Sequence, residues 1–304
     1  MSLRVSGLFN RHGNGKRPLF VFVNDMTPHT PYMLTQTGET AASRYVSSER
    51  IQMLDGFDET WIEFADYLCG GNRLSRQDVE ALRAIYLGQL ETVDESFGTI
   101  WNALRDTGMD DKTLIIFTSD HGEEFGEHGL LSHHYCVYDT LLRVPFILRC
   151  PWKEDTCRGE ERKDIWALVA LPKLVCHLMG IPWNQPDRSK ETAGQYFRHH
   201  YFLNLVESHF PEAALRNELD ERMIWRIQGG KKYIFGSRNG LQIYDLSTDP
   251  GETNNMALQK AFEEGEKTVP FTEKDKAWFT REIERSDVRV QPAALKALKD
   301  LGYL

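Results

Sequence analysis

Short apolar runs and helix-like periodicity alternate along the first two thirds of the chain. Continuous apolar runs at 19–24, 113–119 and 144–150 are typical of strands buried on both faces of a parallel sheet. Apolar side chains recur about every 3.6 residues over 77–106 and again over 164–179, which predicts two helices. Strands that alternate with helices predict an α/β fold, with a mostly parallel sheet flanked by helices.

A different pattern begins near residue 216. Three short strand-like segments at 222–228, 231–236 and 241–246 are separated by Gly-containing turns, which predicts a small antiparallel sheet. Residues 273–285 have a charged, helical pattern, so we expect one helix to cover a face of that sheet. The C-terminal part is therefore expected to form a small α+β subdomain.

Length, composition and charge limit the function classes. The 304 residues, of which 41% are hydrophobic and 27% charged, can form one main domain with a smaller one attached. We place an α/β domain at 1–215 and the C-terminal subdomain at 216–304. The net charge of -9 argues against a nucleic-acid-binding surface, because phosphate binding needs a basic patch. An anionic substrate would need a local cation, which a bound metal can supply.

Neither the cysteines nor the apolar segments indicate secretion or membrane insertion. The five cysteines are scattered without CxxC spacing, so the sequence predicts neither a disulfide framework nor a zinc cage. The segment MSLRVSGLFNRHGNGKRP lacks the apolar stretch of a secretory signal, and no later segment is as long as a membrane span. We therefore expect a cytoplasmic protein without membrane or nucleic-acid partners.

The densest polar chemistry lies at 119–134, SDHGEEFGEHGLLSHH, after the predicted strand 113–119. In open α/β sheets, ligands bind beyond the carboxyl ends of the strands. An Asp120 oxygen suits calcium or magnesium, whereas a His121 nitrogen also suits manganese or zinc. These two residues therefore do not identify the metal. From these two residues alone, a helix-capping Asp120 beside a His121 bonded within the turn is the slightly better interpretation.

A second polar loop, NDMTPHTPY at 24–32, follows the first predicted strand. Pro28 and Pro31 restrict the backbone around His29, so the loop can hold that imidazole against a substrate at little cost in ordering. By itself, however, a histidine in a surface loop is the better interpretation of His29.

Four segments, taken in order, resemble the sulfatase family of the alkaline-phosphatase-like superfamily. They are FVFVNDMTPHTPY, TLIIFTSDHGEEFGEHG, YDTLLRVPFIL and LQIYDLSTDPGETNNMA, and the similarity extends from about residue 18 to residue 258. The resemblance implies an alkaline-phosphatase-like α/β sheet with a small C-terminal subdomain. It also implies a metal-dependent sulfuric ester hydrolase whose substrate is a small-molecule sulfate or phosphate ester.

Specific roles follow from the resemblance. Asp120 and His121 would be two ligands of a divalent cation, calcium in most sulfatases, with manganese or magnesium as alternatives. His29 would contact the ester group and protonate the leaving oxygen as a catalytic acid. His133 would bind the anionic ester oxygens and stabilise charge during catalysis, with His134 as the alternative substrate-binding residue. The neighbouring polar residues would be solvated or would support these: Glu123, Glu124, Glu127 and His128.

One departure from the family pattern concerns the nucleophile. Sulfatases have an Asp-Asp pair at their first strand and a Cys/Ser-x-Pro-x-Arg segment whose cysteine becomes formylglycine. No cysteine, serine or threonine of this sequence lies in that motif, and the only adjacent Asp pair, Asp110-Asp111, precedes a predicted strand. We therefore expect a partial sulfatase with an incomplete sheet and no nucleophile of its own. Its partner would be a complementary N-terminal fragment or, in a homo-oligomer, a second copy.

Two alternatives remain open. A phosphodiesterase or phosphonate-ester hydrolase of the same superfamily has a similar metal core, and these residues do not separate the two classes of ester. A noncatalytic remnant that binds an anion or a partner chain is the alternative from another class. It is motivated by the absent nucleophile motif and by the sheet edge that loss of a first strand would expose.

Overall fold

The computed structural model describes residues 2–12, 18–54, 62–71, 74–152, 159, 161–188, 192–196, 208–210, 221–258 and 269–284. The chain divides into two compact units and passes between them more than once. Unit 1 comprises Met1–Ser119, Glu124–Ser132 and Pro145–Thr156. Unit 2 comprises Asp120–Glu123, His133–Val144 and Cys157–Leu304. The predicted domain boundary at 215/216 lies outside the described residues and stays a prediction.

Unit 1 is built around one long helix, α5 (Arg76–Asp106), which confirms the helix predicted for 77–106. The helix begins at a capping box in which Ser75 and Asp78 each accept a backbone N–H of the other. The described residues before it form shorter helices: α1 (Ser2–His12), α2 (Gln36–Ala42), α3 (Ser48–Leu54) and α4 (Ile62–Leu68). The core of this unit includes Ile51, Phe64, Leu82 and Ile85.

The strands of unit 1 are short and pair antiparallel. β1 (Ile115–Thr118) pairs with β4 (Phe146–Arg149). A second pair joins β2 (Glu124–Phe125) to β3 (Leu131–Ser132). β1 and β4 confirm two predicted strands, but their expected parallel orientation and full burial are wrong, since Ile147 is 61% exposed. A continuous apolar run is compatible with either orientation, because orientation depends on the partner strand.

The predicted buried strand at 19–24 is wrong. These residues pair with no strand in the part of the chain that the structure describes, and Phe20 and Phe22 are 83% and 79% exposed. Val21 packs against the core formed by α1 and α5. The run has strand-like composition, but a strand also needs a neighbour that satisfies its backbone hydrogen bonds.

A four-stranded antiparallel sheet is the centre of unit 2. Its order is β5 (Ala193–Tyr196), β6 (Met223–Gln228), β7 (Lys231–Gly236) and β8 (Gly240–Asp245). The last three strands confirm the three predicted segments to within one residue, and β5 is an additional strand. Helix α8 (Glu273–Glu284) covers one face as predicted, where Trp278 and Phe279 pack in a cluster with Phe235.

Two shorter helices also belong to unit 2, α6 (Asp139–Leu142) and α7 (Leu171–Leu178). α7 occupies only part of the helix predicted for 164–179, and a single turn of 3-10 helix at Leu168–Ala170 precedes it. Pro172 explains the late start, because it lies in the first turn of α7, where its missing backbone N–H costs no hydrogen bond, whereas a helix running from residue 164 would lose one there. No helix in the described ranges is long and apolar enough to cross a membrane.

Candidate functional site

The turn at 120–123 carries the two predicted metal ligands. The Gly122 N–H donates to the Leu141 carbonyl oxygen at 2.9 Å, which ties the turn to α6. A Cβ at position 122 would lie 1.9 Å from the Thr140 carbonyl oxygen, so this close approach of two backbones requires glycine. The contact with α6 therefore fixes the backbone from which Asp120 and His121 project.

Asp120 and His121 lie close together in unit 2. Asp120 Oδ2 is 3.8 Å from His121 Nε2, and the two side chains are 88% and 37% exposed. Asp120 Oδ1 accepts the His121 backbone N–H at 3.1 Å. His121 Nδ1 lies 2.9 Å from the Gly122 carbonyl oxygen. With Nδ1 held by the backbone, Nε2 is the nitrogen that lies toward the Asp120 carboxylate.

His133 joins this pair through its ring. Its imidazole stacks on that of His121, with ring centroids 4.3 Å apart and planes inclined by 23°. His133 Nδ1 lies 3.0 Å from Glu123 Oε1, and both side chains are almost buried. The His134 ring lies 4.5 Å from that of His133. The structure therefore brings together Asp120, His121, His133 and His134.

This group combines an exposed carboxylate with several imidazoles. A carboxylate bonded to one imidazole nitrogen orients the ring and determines which nitrogen contacts a ligand. Glu123 has that relation to His133, so Nε2 is the nitrogen through which His133 would contact an anion. The sequence left Glu123 as either solvated or supporting, and its burial excludes the solvated alternative.

A divalent cation fits this group only in part. Atoms 3.8 Å apart can both contact one ion, because metal–oxygen and metal–nitrogen distances of about 2.0 to 2.6 Å add up to more than that. Within the described part of the chain, no group of three or more His, Cys, Asp or Glu side chains is arranged to hold a metal. Calcium takes about 6 to 8 oxygen ligands, so Asp120 and His121 would be a minority of its ligands.

His29 belongs to unit 1, in a loop held by its own side chains. His29 Nδ1 lies 2.6 Å from the Thr30 carbonyl oxygen, and the His29 backbone N–H donates to the Met26 carbonyl oxygen at 3.0 Å. Asp25 accepts both the backbone N–H and the hydroxyl of Thr27, at 3.0 and 2.5 Å. These contacts give the imidazole a defined orientation within the loop.

Glu124 and His128, which the sequence left as either solvated or supporting, are buried in unit 1. Glu124 is fully buried on β2, and its Oε1 lies 3.1 Å from His128 Nδ1. The His128 side chain is 10% exposed, and its backbone has a φ of 54°, which is uncommon for a residue other than glycine. The solvated alternative is therefore wrong for both, and their contact links β2 to the turn that precedes β3.

A model of the family named Sulfatase matches residues 6–181, which is more than half of the 304 residues. This chain belongs to the sulfatase family. The match includes the SDHG turn, the stacked histidines and the loop of His29, so the sulfatase resemblance of these segments is confirmed. The family generally uses a divalent metal, which agrees with the chemistry of Asp120 and His121 as donors.

Two curated relatives show how much of a longer protein the sulfatase chain spans. It is 44% identical over 206 residues to the multifunctional alkaline phosphatase superfamily protein PehA of Trinickia caryophylli, covering 63% of this chain and 39% of that protein. It is 24% identical over 301 residues to an endo-4-O-sulfatase of Bacteroides thetaiotaomicron, covering 88% and 54%. The chain therefore spans about half the length of these relatives, or less.

Among solved structures, the phosphonate monoester hydrolase of Agrobacterium radiobacter is similar to this sulfatase chain. The TM-score is 0.54 at 23% identity, and the match covers 93% of this chain and 60% of that one. The similarity confirms the predicted alkaline-phosphatase-like fold, although the strand pairs in the described residues are antiparallel.

One further cluster of the sulfatase chain was not predicted from its sequence. Lys232 Nζ on β7 lies 2.7 Å from Asp139 Oδ1 and 2.9 Å from Glu252 Oε1. The Lys232 side chain is fully buried, and that of Glu252 is 1% exposed. The sequence carried part of this signal, since a lysine in a buried strand needs acidic partners, but nothing in it identifies Asp139 and Glu252 as those partners.

Proposed function

We propose that this chain supplies the metal-binding and anion-binding side of a sulfatase-type active site and takes part in the hydrolysis of small-molecule sulfate esters. The observation that carries the proposal is the stack of His121 on His133, because it joins the candidate metal ligands to the candidate anion-binding imidazole. Membership of the sulfatase family supports the same chemistry.

Each residue of the cluster has a role in this proposal. Asp120 and His121 are two ligands of a divalent cation, calcium first, with manganese or magnesium as alternatives. Such a cation, when bound, polarises an oxygen of the ester. His133, oriented by Glu123, donates a hydrogen bond to an ester oxygen and stabilises the negative charge that develops there. His134, whose ring is adjacent, is the alternative donor.

His29 is proposed as the general acid that protonates the leaving oxygen. Its support is the PHTPY segment together with the orientation of the ring. The Thr30 carbonyl oxygen can only accept a hydrogen bond, so Nδ1 carries a proton, and Nε2 is the nitrogen that would meet the leaving group.

Calorimetric titration tests the metal role. Calcium chloride is titrated into the full chain, and inorganic sulfate is then titrated into the calcium-loaded protein. Asp120→Asn is expected to weaken calcium binding by about tenfold or more, because it removes a charged ligand. Asp187→Asn is the matched control, since it removes an exposed carboxylate that pairs with Lys173 in the same unit. A wild-type chain that binds no calcium, or equal losses in the two variants, would contradict the proposal.

A phosphodiesterase or phosphonate-ester hydrolase is the second candidate function. It is supported by the solved neighbour named a phosphonate monoester hydrolase, and the 44% identical relative PehA is described as multifunctional, which is compatible with either class of ester. Parallel assays of an aryl sulfate and an aryl phosphodiester, each with calcium and with manganese and with a complementary N-terminal segment present, separate the two. Faster turnover of the sulfate supports the sulfatase, and faster turnover of the diester supports this alternative.

We further propose a partner that provides the formylglycine nucleophile, since this sequence has no Cys/Ser-x-Pro-x-Arg motif. Exposed apolar side chains in each unit support such a partner. In unit 1, Phe20 and Phe22 are 83% and 79% exposed. In unit 2, Met179 and Ile181, just after α7, are 47% and 53% exposed. The occupant would be a complementary N-terminal segment of a sulfatase. A second copy of this chain and anion binding without catalysis are the alternatives.

Size-exclusion chromatography with light scattering tests the partner. The chain is mixed with the part of PehA that it does not match, and a one-to-one complex is expected. Phe20→Ser combined with Phe22→Ser should weaken the complex, whereas Met33→Ser, which changes another exposed side chain (66%), should not. A stable dimer of the chain alone would favour the second copy, and absence of any complex would contradict the proposal.

A further inference from the structure

Lys232 is the centre of a charged cluster buried inside unit 2. Its Nζ contacts Asp139 and Glu252 at ion-pair distances of 2.7 and 2.9 Å. The ring of Trp225, on the adjacent strand β6, has its centroid 5.9 Å from the same nitrogen. A buried lysine requires such partners, because an unpaired charge away from water is very unfavourable.

Glu252 reaches Lys232 from a left-handed backbone conformation, with a φ of 52°. The turn around it is held by Asp249, whose carboxylate accepts the backbone N–H groups of Thr253 and Asn254 at 3.1 and 2.9 Å. The Glu252 N–H donates to the Asp249 carbonyl oxygen at 3.1 Å. The DPGETNN segment thus builds a turn that directs one carboxylate toward β7.

Glu252 also contacts the backbone of α6. Its Oε2 accepts the N–H of Asp139, the first residue of that helix. Two residues later, the Leu141 carbonyl oxygen accepts the Gly122 N–H at 2.9 Å. The C-terminal sheet is therefore connected to α6, and α6 is connected to the turn that carries Asp120 and His121.

Stability alone is a weak explanation for this cluster. Buried ion clusters are often no more stabilising than apolar side chains of similar volume. Burial raises the pKa of Glu252, and the ammonium of Lys232 only opposes that shift. The cluster does impose a geometry, because two carboxylates must meet one ammonium group at hydrogen-bonding distance.

We propose that Lys232, Asp139 and Glu252 are positioning residues that hold α6, and through it the turn of Asp120 and His121, against the C-terminal sheet. The YDLSTDPGETNN segment then belongs to the scaffold of the candidate site. The catalytic meaning of this positioning rests on the proposed function, whereas the positioning itself is a structural property that is measured separately.

NMR of isotope-labelled histidine side chains in the full chain tests the positioning. The stacked rings of His121 and His133 shift each other's resonances, so a small displacement of either ring changes both signals. Glu252→Ala removes the contacts with Lys232 and with the Asp139 N–H, and it is expected to move both signals. Glu252→Gln keeps an acceptor for that N–H and is expected to leave them close to the wild-type positions.

Asp275→Asn is the matched control. It breaks the ion pair between Arg226 on β6 and Asp275 on α8, 2.7 Å apart in the same unit, and should leave the histidine signals in place. If Glu252→Ala does not fold, Asp139→Asn takes its place in the NMR test, because it removes the carboxylate that pairs with Lys232 and keeps the backbone of α6. Unmoved histidine signals in the folded variant overturn the proposal.

Calcium titration distinguishes this proposal from the proposed function. Residues that orient metal ligands typically change metal affinity by about 10- to 100-fold when replaced. Glu252→Ala is therefore expected to weaken calcium binding by about tenfold, and Glu252→Gln by much less. If the wild-type chain binds no calcium but the histidine signals move, the positioning role stands and the metal role fails. If calcium binding is normal and unchanged in Glu252→Ala and the histidine signals also stay in place, the positioning role fails.

Discussion

The imidazole of His133 stacks on that of His121 at 4.3 Å, across a stretch of chain, Glu124–Ser132, that belongs to the other unit. Glu123 adds a hydrogen bond to the same His133 ring, and Gly122 connects the turn to α6. The candidate site therefore depends on contacts between two short segments of unit 2, and each contact can be removed by a single substitution.

Replacement of His133 tests its role as an anion-binding donor. His133→Ala is expected to weaken binding of inorganic sulfate to the calcium-loaded chain by about 10- to 100-fold, since a hydrogen bond to a charged group contributes about 1.5 to 3 kcal/mol. His133→Lys keeps a cationic donor and should retain most of the affinity. Titration calorimetry measures both. If only His134→Ala lowers the affinity, the alternative donor is the correct one.

Gly122→Ala is expected to destabilise the chain. The added Cβ would lie 1.9 Å from the Thr140 carbonyl oxygen, and a backbone atom cannot move aside as a flexible side chain can. The expected loss is about 3 kcal/mol, the upper end for overpacking. Gly98→Ala, within α5, meets no atom within 4 Å and should stabilise by about 0.5 to 1 kcal/mol. Urea denaturation measures the free energy of unfolding of both variants. Equal changes would show that the close approach of position 122 to Thr140 does not limit the side chain there.

Glu221 gives a pH dependence of stability with a definite sign. Burial raises its pKa above 4.5, although Asn239 and Arg238 backbone N–H groups oppose the shift. The folded chain therefore keeps the proton to higher pH than the unfolded chain, and the contribution of Glu221 to stability falls as pH rises from about 4.5. Glu221→Gln cannot titrate, so its stability relative to wild type should increase with pH, by up to about 1.4 kcal/mol per pH unit.

Denaturation at several pH values between about 4.5 and 8 measures this difference. Glu273→Gln is the control, because it makes the same carboxylate-to-amide exchange at a side chain that is 90% exposed. A constant difference between Glu221→Gln and wild type across this range would show that the Glu221 carboxyl is not perturbed in the folded chain.

Tyr196→Phe tests how β5 holds the histidine segment. The Tyr196 hydroxyl oxygen accepts the Tyr135 backbone N–H at 2.9 Å. Its loss leaves a buried donor without this acceptor, which costs about 1 to 3 kcal/mol. Tyr45→Phe, where the side chain is 62% exposed, should change stability by less than about 0.5 kcal/mol. Thermal unfolding of both variants gives the comparison, and matching midpoints would contradict the prediction.

Local sequence patterns were sufficient to predict some helices and strands of the fold. The predicted α5 differs from the observed helix by one residue, because the apolar side chains keep a 3.6-residue period along the whole helix. The three C-terminal strands were predicted because glycines mark the turns between them. The strand predicted at 19–24 was wrong, because the burial of an apolar run depends on neighbouring strands, and the run itself does not show whether such neighbours are present.

The candidate site likewise contains residues that the sequence predicted and residues that it did not. Asp120, His121, His133 and His134 were predicted and lie together, while their roles remain predictions. The cluster around Lys232 was missed because its contacts join residues far apart in sequence, 93 positions for Asp139 and Lys232 and 113 for Asp139 and Glu252. Such a relation requires the folded chain, because no local spacing rule connects a strand lysine to a carboxylate in another segment.

The interleaving of the two units determines how this protein can be dissected genetically. Unit 2 contains Asp120–Glu123 and His133–Val144 as well as everything from Cys157 onward. No single stop codon or deletion end point separates one complete unit from the other, because segments of the two units alternate between residues 119 and 157. A truncation therefore never tests one complete unit alone, and the contributions of individual residues have to be resolved by single substitutions.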